Sequence, residues 1–224
     1  MKISAEFITS AAGAADFPGD GLPEVALVGR SNVGKSSLIN ALLRQRVART
    51  SAAPGKTRLA NIYRVARGSS APFYLVDLPG YGYARAVRPS SGQADPAFDE
   101  VAEAAFERHP AALLLVDVRH PGLENDRAAW QWLQRTTDRT ALVGTKIDKL
   151  ARGQRIRALR ELESVFDDSV LPVSAVTGEG LDELWKLIDR LASNRNINPR
   201  SRKPSIPPKE TALRPPKKLR PPKK

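Results

Sequence analysis

The sequence contains no cysteine, only two histidines and no long apolar run. Without cysteine, neither disulfides nor thiolate metal sites are available, and a reducing compartment suits the chain. No stretch approaches the roughly 18 apolar residues of a membrane-spanning helix, and the N-terminal region lacks a basic-then-apolar signal pattern. We therefore expect a protein of the cytoplasm that does not associate with membranes.

The net charge of +12 is concentrated at the C-terminus. Residues 195–224 hold eleven Lys or Arg residues, one acidic residue and eight of the 18 prolines. The other 194 residues hold 25 basic and 23 acidic groups, so they are almost neutral. A segment this rich in proline and charge cannot bury enough apolar surface to fold alone. The sequence predicts a disordered tail, which either makes salt-sensitive contacts with the phosphates of a nucleic-acid partner or is a solvated segment with only non-specific affinity for nucleic acids.

The rest of the chain is long enough for one domain with a real core. Short apolar runs alternate with amphipathic segments, a pattern typical of a doubly wound α/β sheet whose ligand lies at the carboxyl ends of its strands. We predict a mostly parallel six-stranded sheet with helices on both faces. The predicted divisions are an N-terminal extension with an edge strand (1–22), the folded domain (23–194) and the tail (195–224).

One stretch fits G-x-x-x-x-G-K-[ST], the phosphate-binding loop. An apolar run suited to a buried strand precedes it, and a segment suited to a helix follows it. The glycines let backbone N–H groups curl around phosphates, a lysine can reach the β- and γ-phosphates, and a serine hydroxyl can bind Mg²⁺. The candidate phosphate-binding residues are Gly29, Arg30, Ser31, Asn32, Val33, Gly34, Lys35, Ser36 and Ser37.

Two further segments could complete a magnesium and γ-phosphate site. The polar loop Pro54-Gly55-Lys56-Thr57 follows the first predicted helix, and the Thr57 hydroxyl is a candidate magnesium ligand. Asp77-Leu78-Pro79-Gly80 follows an apolar strand, so the Asp77 carboxylate could orient a magnesium-bound water. Gly80 could donate its N–H to a γ-phosphate because no side chain blocks the approach.

The motif Thr145-Lys146-Ile147-Asp148 predicts a guanine site. A carboxylate at Asp148 can accept hydrogen bonds from the ring N–H and the exocyclic amine of guanine, whereas adenine offers no such pair of donors. The stem of Lys146 can pack over the purine. After the next predicted strand, Ser174-Ala175 could place a backbone N–H near the guanine carbonyl, and Val173 is a further candidate nucleotide-binding residue.

These motifs together resemble the EngB/YsxC group of ribosome-biogenesis GTPases. The resemblance covers residues 3–193 and also uses Asp77 to Ala84 and Asp117-Val118-Arg119-His120. It implies a Ras-like domain with one antiparallel edge strand, GTP and Mg²⁺ as ligands, and a role in assembling the large ribosomal subunit that supports normal growth and cell division. Ala53 and Ile147 depart from the usual family residues, but neither change removes a ligand.

The candidate catalytic residues are Lys35, Thr57, Gly80 and Asn32. Tyr81 stands where Ras-like enzymes often place a water-orienting glutamine, so we expect slow intrinsic hydrolysis. Asn32 matches the asparagine that binds K⁺ in several GTPases with similar phosphate loops, which makes K⁺ a second candidate cofactor.

We expect a monomer whose partners are GTP or GDP and the precursor of the large ribosomal subunit with its rRNA. Three alternatives use the same motifs differently. A small-molecule kinase would not need the guanine site, and an RNA-binding architectural protein would show little hydrolysis. A GTPase acting on tRNA would need an added modification domain, which the sequence does not contain.

Overall fold

The structure is a computed structural model that describes residues 2–48, 59–81 and 100–193. The predicted loop Pro54–Thr57 and the predicted tail 195–224 lie outside these ranges. The strands are β1 Ile3–Ala11, β2 Glu24–Gly29, β3 Ala60–Arg67, β4 Phe73–Asp77, β5 Ala111–Asp117, β6 Thr140–Thr145 and β7 Val170–Pro172. The helices are α1 Lys35–Leu43, α2 Glu100–Phe106, α3 Glu124–Thr136, α4 Arg152–Phe166 and α5 Leu181–Ser193.

The strands form one sheet in the order β1-β3-β4-β2-β5-β6-β7. β3 pairs in an antiparallel direction with both β1 and β4, and the other pairings are parallel. β2 is the middle strand of this order, and its residues are therefore buried throughout. The carboxyl ends of β2, β4, β5 and β6 therefore meet at one edge of the sheet, where a ligand is expected.

The α/β class and the mostly parallel sheet are confirmed, but the predicted count of six strands is wrong. Within the described residues the sheet has seven strands, because residues 3–11 of the predicted extension pair with β3 along its length. The edge strand predicted within residues 1–22 is β1, which pairs in an antiparallel direction with β3 at one edge of the sheet. The signal for β1 is weak in the sequence because most of its side chains are exposed or half-buried.

The core lies on both faces of the sheet, as strand alternation requires. In β2, Ala26 and Val28 belong to a cluster that includes residues of α2, α3 and α4, whereas Val25 and Leu27 belong to a cluster with residues of α1 and α5. The side chain of Trp130, in α3, is buried in the first cluster. Among the described helices, none has both the length and the apolar character needed to cross a bilayer.

Two glycines in the loop before α5 provide a matched test of this architecture. Gly178 and Gly180 have φ angles of +81° and +80°, a conformation that costs other residues about 1–2 kcal/mol. A Cβ atom at Gly180 would lie 2.1 Å from the Pro172 carbonyl oxygen, whereas a Cβ at Gly178 would have no heavy atom of the described residues within 4 Å. We expect Gly180→Ala to lower the free energy of unfolding by about 3 kcal/mol or more, and Gly178→Ala by about 1 kcal/mol.

Chemical denaturation of both variants checks this expectation. Equal losses in the two variants would show that backbone conformation alone, and not contact with Pro172, requires glycine at position 180.

Candidate functional site

The phosphate loop joins β2 to α1 at the carboxyl edge of the sheet. Asn32 and Gly34 have φ angles of +64° and +110°, and α1 begins immediately afterwards at Lys35. This geometry turns the chain so that the first N–H groups of α1 face the loop, where they favour an anion. Gly29 has no room for a side chain, because a Cβ there would lie 2.9 Å from the Leu115 carbonyl oxygen.

Lys35 and Asp77 form the electrostatic centre of the site. Both are buried, and the Lys35 ammonium donates to the Gly29 carbonyl at 3.1 Å. Burial lowers the pKa of Lys35, while the charge of Asp77 opposes this shift. Burial raises the pKa of Asp77 to about 6, against the influence of Lys35 and a hydrogen bond from Ser36. The predicted residues of two separate motifs therefore lie near enough in the buried site for the charge of each to shift the pKa of the other.

The residues around Asp77 fit a hydrated magnesium ion. Asp77 Oδ1 is buried and has no hydrogen-bond partner among the described residues. The Ser36 hydroxyl interacts with the same carboxylate. A hydroxyl beside a carboxylate with a spare oxygen suits a hard cation that keeps most of its waters. Thr57, the other candidate ligand, lies outside the described residues.

The segment after β4 is packed directly against the phosphate loop. A Cβ atom at Gly80 would lie 2.8 Å from the Ser31 amide nitrogen, so only glycine fits there. The Ser31 N–H donates to the Tyr81 carbonyl at 3.2 Å, and Arg30 and Tyr81 form a parallel β-bridge. Leu78 is buried, and its N–H donates to the Leu27 carbonyl at 3.3 Å. These contacts extend the β2–β4 pairing into the site. Pro79 lies in the sequence between Leu78 and Gly80.

A buried cluster beside this contact was missed by the sequence analysis. Asp126, in the first turn of α3, is 1% exposed. Its carboxylate accepts hydrogen bonds from Arg30 Nε at 3.0 and 3.2 Å and from the Tyr81 hydroxyl at 2.8 Å. Burial raises the pKa of Tyr81, so its hydroxyl stays protonated and donates. The only signal in the sequence was an acidic residue in a first helical turn, which the helix dipole already explains.

The base side of the site begins at the end of β6. The Thr145 hydroxyl lies 2.8 Å from the Val33 carbonyl and 3.1 Å from the Val116 carbonyl. Lys146 has a φ of +63°, and its ammonium donates to the Asn32 carbonyl at 2.6 Å. The guanine motif is thus hydrogen-bonded to the phosphate loop.

Asp148 is held by the loop that follows β7. The Ser174 hydroxyl donates to Asp148 Oδ1 at 2.7 Å, and this bond lowers the pKa of the carboxyl group. The Ser174 N–H already donates to the Glu179 carbonyl at 2.9 Å. Ala175 therefore becomes the better candidate for an amide that reaches the guanine carbonyl. Ile147 and Val173 are buried beneath this surface.

A second acidic residue, Asp117, contacts Lys146 of the guanine motif. It ends β5 and is buried, and it accepts hydrogen bonds from Arg119 Nη2 at 2.7 Å and Lys146 Nζ at 3.0 Å. Burial alone would raise the pKa of Asp117, but these hydrogen bonds together hold it well below its usual range. Asp117 entered the sequence analysis only through a family resemblance, although an acidic residue at the end of a buried strand was the same signal that identified Asp77.

Comparison with known proteins places this geometry in a family. Residues 24–146 match the family described as 50S ribosome-binding GTPase. The probable GTP-binding protein EngB of Alkaliphilus metalliredigens is 38% identical over 198 residues, covering 84% of this chain and 91% of the relative. The protein of the same description from Pelotomaculum thermopropionicum is 43% identical over 196 residues, covering 85% of this chain and 96% of the relative. The chain belongs to the EngB family.

Membership of the EngB family confirms the resemblance inferred from the motifs. The chain is a GTP-binding protein, and GTP hydrolysis is its activity. Its fold also resembles that of Era from Aquifex aeolicus, whose crystal structure contains GDP·AlF4⁻. The two share 26% identity and a TM-score of 0.63, over 76% of this chain and 56% of Era.

Proposed function

We propose that this EngB-family protein is a guanine-nucleotide switch, acting as a monomer, in the assembly of the large ribosomal subunit. The observation that carries the ribosomal part is its match to a family described as 50S ribosome-binding. Two features support it. The fold resembles Era, which has been solved with a segment of 16S ribosomal RNA, and residues 195–224 carry eleven basic residues. Through ribosome supply, the protein would serve normal growth and division.

The described geometry supports the following proposed roles for the site residues. The amides of the phosphate loop and of the first turn of α1 surround the phosphates, and Lys35 neutralises the β- and γ-oxygens. Ser36 would hold Mg²⁺ directly and Asp77 would hold it through water, with Thr57 as the third candidate ligand. When bound, the ion would neutralise negative charge on the triphosphate. Asp148 selects guanine, and the Gly80 N–H contacts the γ-phosphate.

Slow intrinsic hydrolysis is part of the proposal. The Tyr81 hydroxyl is buried and donates to Asp126 at 2.8 Å. It therefore does not orient the attacking water as a glutamine at this position would. A partner or a bound cation must supply the missing stabilisation.

Potassium is the proposed cation, with Asn32 as its side-chain ligand. We expect GTP turnover in potassium buffer to exceed that in sodium buffer by roughly tenfold or more, since one well-placed charge acts on the transition state. Because Asn32 has a φ of +64°, Asn32→Gly removes the amide without imposing backbone strain. Turnover assays with both proteins in both salts check this. Equal wild-type rates in the two salts would remove potassium from the mechanism, and a stimulation that survives in Asn32→Gly would remove Asn32 as its ligand.

The ribosomal role is tested by co-sedimentation with isolated precursors of the large subunit. The full chain is loaded with GDP, GTP or a non-hydrolysable analogue, and Lys35→Ala serves as the variant impaired in nucleotide binding. We expect the analogue-bound protein to pellet with the precursor and the GDP-bound protein to stay in the supernatant. Equal sedimentation in all three nucleotides would contradict a switch.

The tail is tested in the same assay at rising salt. Each phosphate contact that a Lys or Arg makes steepens the dependence of binding on salt. Deleting 195–224 should weaken binding and flatten that dependence, while GTP affinity stays the same. Unchanged salt dependence would assign the ribosomal contacts to the folded domain alone.

A further inference from the structure

Asp126 lies between two parts of the molecule that must act together on GTP. It is on α3, whereas its partners are Arg30 in the phosphate loop and Tyr81 directly after Gly80. The cluster is enclosed, since Asp126 is 1% and Tyr81 is 5% exposed. Hydrogen bonds to a buried carboxylate are strong, and a partner left without its bond is costly there. The cluster therefore fixes the positions of Arg30 and Tyr81 relative to each other.

The fixed position of Tyr81 determines that of Gly80. The Tyr81 side chain is held by Asp126, and its backbone is held by the Ser31 N–H and by the bridge to Arg30. Gly80 is thereby pressed against Ser31, at a separation that leaves no room for a side chain. The N–H of Gly80 therefore needs little ordering when a γ-phosphate arrives, which is the advantage of preorganisation.

We infer that Asp126 is a positioning residue for the terminal phosphate of GTP. Acting through Tyr81, it holds Gly80 beside the phosphate loop, and so it favours GTP over GDP and speeds hydrolysis without touching the nucleotide. The inference rests on the proposed contact between Gly80 and the γ-phosphate. GDP lacks that phosphate, so its affinity should not depend on the cluster.

Two nearly isosteric variants test the inference. Tyr81→Phe removes one hydrogen bond and keeps the buried ring, and Asp126→Asn keeps an acceptor for Tyr81 but removes the charge that holds Arg30. We expect Tyr81→Phe to lower the ratio of GTP affinity to GDP affinity by roughly three- to tenfold, the loss expected from one hydrogen bond. Hydrolysis at saturating GTP should fall by a similar factor, and GDP affinity should stay within about twofold.

Coupling between the variants separates positioning from simple stability. If the two side chains act as one unit, Tyr81→Phe/Asp126→Asn should lose little more GTP preference than the larger single loss. A purely structural role would lower the unfolding temperature, weaken GTP and GDP binding equally and leave their ratio unchanged, and that result would overturn the inference. A raised ratio would overturn it as well, since the cluster would then hold Gly80 away from the γ-phosphate.

Gly80→Ala reports separately on the proposed phosphate site. The added methyl group must displace the segment from Ser31. If Gly80→Ala loses the preference for GTP while Tyr81→Phe keeps it, the proposed γ-phosphate contact stands and the role of Asp126 fails. If Gly80→Ala, folded by circular dichroism, keeps the full preference, the contact itself is wrong and the inference fails with it.

Discussion

Replacing Asp148 with asparagine should lower the affinity for GTP by roughly 10²–10⁴-fold, through the loss of two charge-assisted hydrogen bonds worth about 1.5–3 kcal/mol each. The carboxylate accepts from two guanine donors, the ring N–H and the exocyclic amine. An asparagine amide oxygen can accept only a weaker, uncharged hydrogen bond from the first, and its NH₂ group meets the second donor. Xanthine carries a carbonyl where guanine carries that amine. We therefore expect Asp148→Asn to bind xanthosine triphosphate better than GTP.

The measurement is calorimetry with GTP, GDP, xanthosine triphosphate and ATP. Asp138→Asn is the matched control, because Asp138 is exposed in the connection between α3 and β6 and its substitution changes the net charge equally. The Ser174 hydroxyl lies 2.7 Å from Asp148 and can still orient the new amide. Unchanged GTP affinity in Asp148→Asn would show that this residue does not read the base.

Replacing Lys35 with alanine should reduce GTP hydrolysis by roughly 10³-fold or more, because the transferred phosphoryl group loses its buried cation. GTP affinity should fall as well, since Lys35 is already desolvated and gives up little hydration when phosphates bind. Lys186→Ala is the control, since Lys186 is exposed on α5. Single-turnover assays with saturating GTP separate the rate effect from the affinity effect. Hydrolysis within tenfold of the wild-type rate would contradict the placement of Lys35 at the phosphates.

In the same variant, the pH dependence of the free energy of unfolding should also reveal how Lys35 influences Asp77. Asp77 already has a pKa raised to about 6, and removing Lys35 raises it further. A folded-state pKa above the unfolded value means that the folded protein binds a proton more readily, so stability rises as pH falls through the folded pKa. As the pH falls from about 8 to about 6, the free energy of unfolding of Lys35→Ala should thus increase more than that of the wild type. Lys35→Ala/Asp77→Asn should lose this increase.

The sequence predicted the parts of the site that depend on residue type at fixed spacing. Each of these residues lies at or beyond the carboxyl end of a short strand, and the carboxyl ends of parallel strands meet at one edge: Lys35, Asp77, Thr145 and Asp148. Their neighbourhood in the structure follows from chain connectivity and sheet topology alone. The same reasoning identified the α/β class, since strand and helix patterns alternate along the chain.

The remaining features depend on contacts between residues far apart in sequence. Asp126 meets Arg30 across 96 positions, and no local pattern records that meeting. Strand β1 was weakly signalled because an edge strand buries little, so its alternation is faint. The assignment of the base-facing amide changed from Ser174 or Ala175 to Ala175, because the hydrogen bond from Ser174 to Glu179 could not be predicted from spacing.

Hydrogen bonds from Thr145 to Val33 and from Lys146 to Asn32, at 2.8 and 2.6 Å, join the base end of the cleft to the phosphate end. These hydrogen bonds hold the base end and the phosphate end of the cleft at a fixed separation. Guanosine alone or pyrophosphate alone would occupy only one end of the cleft, and each would bear the whole entropic cost of association by itself. An intact nucleotide bears that cost once, so its association constant should far exceed the product of the two fragment association constants, all expressed in M⁻¹.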